Sequence, residues 1–151
     1  MGATSVHFSD AELRCRGTDC SADGSRGCGV NGCQQALVDA LEAFRALVGR
    51  PVLVDSAYRC EKHNAQAGGV GKSEHVEGLA ADIRVDGMTA AQLEAVARRI
   101  PAIRGIGRAD FQQYVHIDVR STRTVASWCY STGGRWCSYY PPFGQSDREA
   151  A

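Results

Sequence analysis

The segment QYVHIDVR, Gln113 to Arg120, alternates without a break. A β-strand sends successive side chains to opposite faces. Val115, Ile117 and Val119 therefore share one face, and Tyr114, His116, Asp118 and Arg120 share the other. The apolar set requires a core to lie against, and the polar set then lines a surface or a cleft. A face that merely meets water favours Thr, Lys and Glu. A row of Tyr, His, Asp and Arg is richer in groups that bind, ligate and exchange protons.

The rest of the chain supplies what such a strand needs. QQALVDALEAFRALV, residues 34–48, repeats Leu37, Leu41, Phe44 and Val48 at three- and four-residue steps, which predicts a helix. Gly49 stops it. Ser9 with Glu12, and Thr89 with Gln92, have the spacing of capping boxes, so helices are expected to start there. Pro101 ends the second of them. PVLVDSAYR reads as a buried strand with a polar end, CEKHNAQAGG as a short helix, and LAADIRV, IRGIGR and QYVHIDVR as strands. WCYSTGGRWC reads as a hairpin turning at Gly133 and Gly134. Helices come first and short strands later, without regular strand–helix alternation. The expected fold is α+β: a small, mainly antiparallel sheet flanked by helices. A single domain is expected over residues 7–140, followed by a disordered tail at 141–151.

Composition narrows the function. The chain has 151 residues, with Lys+Arg and Asp+Glu both 17. That balance gives no basic face of the kind nucleic acid requires. No run reaches the ~18 apolar residues of a membrane span, and MGATSVHFSDAELR has no apolar signal-peptide core. Val6 stands where a myristoylation signal needs Ser or Thr. Gln66 stands where GGVGKS would need a glycine to form a phosphate loop.

Seven cysteines are many for this length. Cys15, Cys20, Cys28 and Cys33 lie in a Gly/Ser-rich stretch that cannot pack apolar side chains, so cross-links are expected to hold it. Disulfides, and with them an oxidising compartment, are preferred to a four-thiolate zinc site. Cys129 and Cys137 flank the Gly-Gly turn and are the expected pair of the C-terminal hairpin. Cys60 directly follows Arg59, so its pairing with an N-terminal cysteine would pin that arginine.

Asp82 lies in an apolar strand, a costly place for a lone carboxylate. Coordination of a divalent cation would offset that cost. His75, Asp82 and His116 are a ligand set that suits zinc, at ~2.0–2.2 Å with a fourth position open. A turn-capping Asp82 and a surface His75 are the plain alternative.

Ser73, His75, Gly78, Ala80 and Asp82 spell Ser-x-His-x-x-Gly-x-Ala-x-Asp, with SAYRCEKHN upstream and VHID downstream. Together they resemble the zinc D-alanyl-D-alanine carboxypeptidase family, which includes L-alanyl-D-glutamate endopeptidases of phages and shares its fold with the hedgehog signalling domain. The resemblance covers roughly residues 7–120. It implies one catalytic zinc held by His75, Asp82 and His116, with zinc-activated water cutting peptidoglycan stem peptides. It implies that Arg59 binds substrate and that Ser73 supports the site; Tyr114, on the polar face of the strand, is a further candidate to contact substrate. Well-studied relatives carry a Glu or Asp general base three residues before the last histidine. Here that position is Gln113, with Asp118 the candidate to replace it and Asp110 a looser one. His63 is expected to pack near the cleft or to orient a ligand, and His7 to have no catalytic role. The resulting expectation is an extracellular or periplasmic monomer, secreted or released by phage lysis. A zinc-binding module with weak or no catalysis, and a disulfide-held domain without metal, are the alternatives.

Overall fold

The computed structural model describes residues 2–17, 29–66 and 73–130. Four helices precede or interrupt five strands: α1 (Asp10–Leu13), α2 (Gln35–Val48), β1 (Leu53–Ser56), α3 (Glu61–Gln66), β2 (Ala80–Arg84), α4 (Ala90–Ala97), β3 (Gly105–Ala109), β4 (Tyr114–Asp118) and β5 (Ala126–Cys129). Both expected capping boxes are formed: Ser9 with Glu12 opens α1, and Thr89 with Gln92 opens α4. Gly49 ends α2 in the left-handed conformation, its N–H on the Arg45 carbonyl.

The strands form one sheet in the order β1-β2-β4-β3-β5. Three of its four pairings are antiparallel, and β3–β5 is parallel. The α+β expectation therefore holds, mainly antiparallel. Cys129 ends β5, beside β3. The expected hairpin turn at Gly133 and Gly134 lies outside the described residues, as do the end of the expected domain and its tail.

One sheet face carries the core. Val54, Ile83, Val115, Ile117 and Ile106 pack in one cluster with Leu37, Leu41 and Phe44 of α2 and Leu93 and Ala97 of α4. Strict alternation then turns the neighbours of those residues to the other face. Register decides which of them meet. Ser56 pairs with Asp82, Asp82 with His116, His116 with Gly107, and Gly107 with Trp128. One row thus crosses all five strands, and directly opposed residues share a face. An irregularity between Val54 and Ser56, one extra residue in β1, brings Ser56 into that row. The row below it runs Ala80, Asp118, Gly105, Ala126.

Two kinds of glycine make this face possible. A side chain at Gly105 would overlap the Asp118 carboxylate, and one at Gly107 would overlap the Trp128 indole. Gly78 has φ +75°, and a Cβ there would run into the Gly32 carbonyl. The Gly78 carbonyl accepts from Gln34 N–H at 2.9 Å, which binds the turn after His75 to the start of α2. Gly78→Ala combines backbone strain with a backbone clash, so a loss of ~2–4 kcal/mol is expected. Gly49→Ala, left-handed but in open space, should lose only about 1 kcal/mol. Urea unfolding of both variants checks the difference; equal losses would mean that the Gly32 contact is unimportant.

Candidate metal centre

Asp82 and His116 face each other across the β2–β4 pairing. His116 Nδ1 lies 3.1 Å from Asp82 Oδ1. His75, from the turn before β2, brings Nε2 to 3.4 Å from the same oxygen. The two imidazoles meet edge to face, centroids 5.1 Å apart. Among the described residues, this is the group of His, Cys, Asp and Glu whose donor atoms all lie within 4.8 Å of one another.

Each ring is fixed by its other nitrogen. His75 Nδ1–H donates to the Ala57 carbonyl at 2.7 Å, leaving Nε2 for the centre. His116 Nε2–H donates to Asp118 Oδ2 at 2.9 Å, leaving Nδ1. Asp118 is fully buried and is itself held by Arg120, whose Nε and Nη2 donate to its two oxygens at 2.7 Å each. Such outer partners orient a histidine ligand and raise its basicity. Arg120 in turn lies over the Trp128 ring at 5.2 Å, and Trp128 packs on His116 with centroids 5.2 Å apart.

Ser73 accepts from His75 N–H through Oγ at 3.2 Å and is buried, so it shapes the turn that presents His75. Arg59 donates from Nη2 to Asp82 Oδ2 at 3.1 Å and from Nε to Ser56 Oγ at 3.0 Å. Arg59 N–H donates to the His75 carbonyl at 3.2 Å, binding the loop after β1 to the ligand turn. Tyr114 is half-buried, 6.1 Å between centroids from Tyr130. Burial, and then the Asp82 charge, push its phenol up to about 12.

Two expected catalytic residues, Gln113 and Asp118, have their side chains engaged by neighbours. Gln113 has φ +52°, and its side chain leaves the centre. Its Oε1 accepts from Ala90 N–H at 2.7 Å, at the start of α4, while Nε2 donates to the Asp110 carbonyl at 2.6 Å. Asp118 lies behind His116, with both oxygens engaged. Asp110 is paired with Arg108, Nε to Oδ1 at 2.5 Å. His7 lies with Glu42 at 2.8 Å, apart from the centre. None of Cys15, Cys33 and Cys60 is in a disulfide. The expected N-terminal staple is therefore not made by these three, and Cys20, Cys28 and Cys137 lie outside the described residues.

Charge in the centre is strongly coupled. Burial pushes the Asp82 carboxyl up, but hydrogen bonds from His116 and His75 outweigh it and hold the group well below the usual carboxylate range. Burial pushes His116 down, yet Asp118 and Asp82 together raise it to about 9. His75 is lowered, mainly by burial. The donors fit a divalent ion: two oriented imidazoles and one ionised carboxylate, converging from a turn and two strands, with Asp82 central.

The His75, Asp82 and His116 group thus lies on the sheet face opposite the core, where its donors could hold a divalent ion. The family model described as Peptidase M15 matches residues 6–118, and the chain belongs to that family. No curated protein matches it.

An ion must displace the proton on His116 Nδ1. Metal uptake should therefore release a proton below pH ~9, and apparent affinity should rise with pH up to that point. Calorimetric titration in two buffers of different ionisation enthalpy reads this release. Metal-free stability should run the other way: the His116 contribution is complete below its unfolded pKa of ~6.5 and fades as pH rises through about 9. A metal affinity flat from pH 6 to 9 would contradict the assignment.

Proposed function

We propose that this protein is a zinc-dependent peptidase of bacterial cell-wall stem peptides, with His75, Asp82 and His116 holding one catalytic ion. The observation that supports this most is the convergence of His75 Nε2 and His116 Nδ1 on one oxygen of Asp82. Zinc, when bound, supplies Lewis-acid chemistry: it polarises a peptide carbonyl and lowers the pKa of a water toward ~7.

The chain's own residues orient and bind. Asp118, held by Arg120, keeps His116 in the tautomer that offers Nδ1. Arg59 presents a planar fork beside the ligand carboxylate, suited to a substrate carboxylate or carbonyl. Tyr114 and Ser73 complete the substrate side and the ligand turn. Both a D,D-carboxypeptidase and an L-Ala-D-Glu endopeptidase are consistent with this core. We place the protein, a monomer, where its substrate is: extracellular or periplasmic, after secretion or phage lysis.

Gln113 favours a second reading. Its amide cannot accept a proton near neutrality and is committed to α4 and Asp110. A positioned base is typically worth ~10²–10⁴-fold, so turnover at this centre should be slow. In the limit, the protein is a zinc-holding module that binds wall without cutting it.

Mass spectrometry of peptidoglycan fragments, incubated with and without a chelator, separates the readings. Chelator-sensitive release of one D-alanine means a carboxypeptidase, and a split stem means an endopeptidase. Intact fragments beside stoichiometric zinc mean the module. Arg59→Lys should keep its zinc and lose on the order of 10²-fold in kcat/KM through misplaced substrate. Asp118→Asn should weaken zinc binding by ~10–100-fold, measured by competition with a chromophoric chelator. Unchanged zinc affinity with abolished turnover in Asp118→Asn would make Asp118 the base instead.

A further inference from the structure

A second cluster of metal-ligating side chains lies away from the His75 centre. Cys15 Sγ stands 3.8 Å from Cys60 Sγ and 3.3 Å from His63 Nδ1. Cys60 and His63 are three residues apart at the opening of α3, close enough for His63 N–H to donate to Cys60 Sγ at 3.4 Å.

The distances discriminate between two chemistries. An S–S bond is ~2.05 Å long, so 3.8 Å is nearly twice that. Two thiolates on one tetrahedral zinc, each bonded at ~2.3 Å, stand ~3.8 Å apart. A thiolate and an imidazole nitrogen on the same ion stand ~3.5 Å apart. The two distances from Cys15 are those of the second arrangement, while the three donors do not all lie within 4.8 Å of one another. Cys15 is buried and Cys60 is half-buried, so the Cys15 thiol meets a second sulfur and a ring nitrogen at a sheltered position.

We propose that Cys15, Cys60 and His63 bind a second zinc ion, structural in role and independent of the His75–Asp82–His116 centre. The cluster is more open than that centre, whose donors all lie within 4.8 Å of one another. Occupancy therefore requires a side-chain rotation of His63 or Cys60. A fourth donor, a water or a further side chain, completes the tetrahedron. Binding displaces the protons of the two thiols and uses His63 as the neutral ring.

The position gives the ion a task. Tyr58 N–H already donates to the Leu13 carbonyl at 3.2 Å, and Cys15 N–H to the Val30 carbonyl at 2.8 Å. A zinc bridge from Cys15 to Cys60 would fasten the N-terminal segment to the residue after Arg59. It would therefore set where the Arg59 guanidinium meets Asp82.

The test is the zinc content of the full chain, purified in thiol reductant without chelator, by inductively coupled plasma and native mass spectrometry. Two zinc ions per chain are expected, falling to one in His116→Ala and to one in Cys60→Ser. Cobalt(II) reconstitution should give a near-ultraviolet thiolate charge-transfer band that survives His116→Ala and is lost in Cys60→Ser. Should Cys60→Ser fail to fold by circular dichroism, His63→Gln is read instead, with the same loss of one zinc expected. One zinc that vanishes in His116→Ala would overturn the second site, as would a Cys15–Cys60 disulfide in the non-reduced peptide map. One zinc that persists in His116→Ala and vanishes in Cys60→Ser would support it while removing the ion from the His75 centre.

Discussion

The pairing of β2 with β4 places Asp82 opposite His116, and the rest of the site depends on that register. A slip of one residue would send both side chains into the core and bring Ile83, Val115 and Ile117 out of it. The apolar alternation and the ligand placement are thus one constraint. What buries Val115 and Ile117 against α2 and α4 also aims His116 at Asp82. β3 contributes by what it lacks: Gly105 and Gly107 leave room for Asp118 and Trp128 to lie across it.

Without an ion, the centre is a buried network of mixed charge. Asp82 takes hydrogen bonds or close contacts from His116, His75 and Arg59, and Asp118 from His116 and Arg120. Two carboxylates on either side of one ring explain why His116 is held protonated despite full burial. Breaking one partner of such a network leaves an uncompensated buried charge, which is strongly destabilising. The same network leaves one nitrogen of each imidazole aimed at a common oxygen, so the geometry that stabilises the protein also preorganises a ligand set.

Much of this is legible along the chain because it is local. Capping boxes at Ser9 and Thr89, the helical repeat before Gly49 and the alternation around His116 need only neighbours in sequence. The three candidate ligands are legible through their linked motifs. The supporting residues are not, because they depend on register. Nothing near His75 in sequence indicates that the Ala57 carbonyl fixes its tautomer, and nothing near His116 points to Trp128. Asp118 shares a strand face with His116, as alternation requires. Its side chain nevertheless reaches the far ring nitrogen, and Arg120 occupies it there. Gln113 aligns with a catalytic position by count, yet its left-handed backbone turns the amide to α4. The N-terminal cysteines suggested disulfides from composition; among the described residues Cys15, Cys33 and Cys60 form none, and Cys15 Sγ lies 3.8 Å from Cys60 Sγ and 3.3 Å from His63 Nδ1.

The central claim is that register builds a two-histidine, one-carboxylate metal centre. It is tested most directly by zinc-edge X-ray absorption on Cys60→Ser protein carrying one equivalent of zinc. The expected spectrum shows two imidazoles and lighter oxygen donors at ~2.0–2.2 Å, with no sulfur. A spectrum with sulfur at ~2.3 Å, or without imidazole scattering, would contradict it.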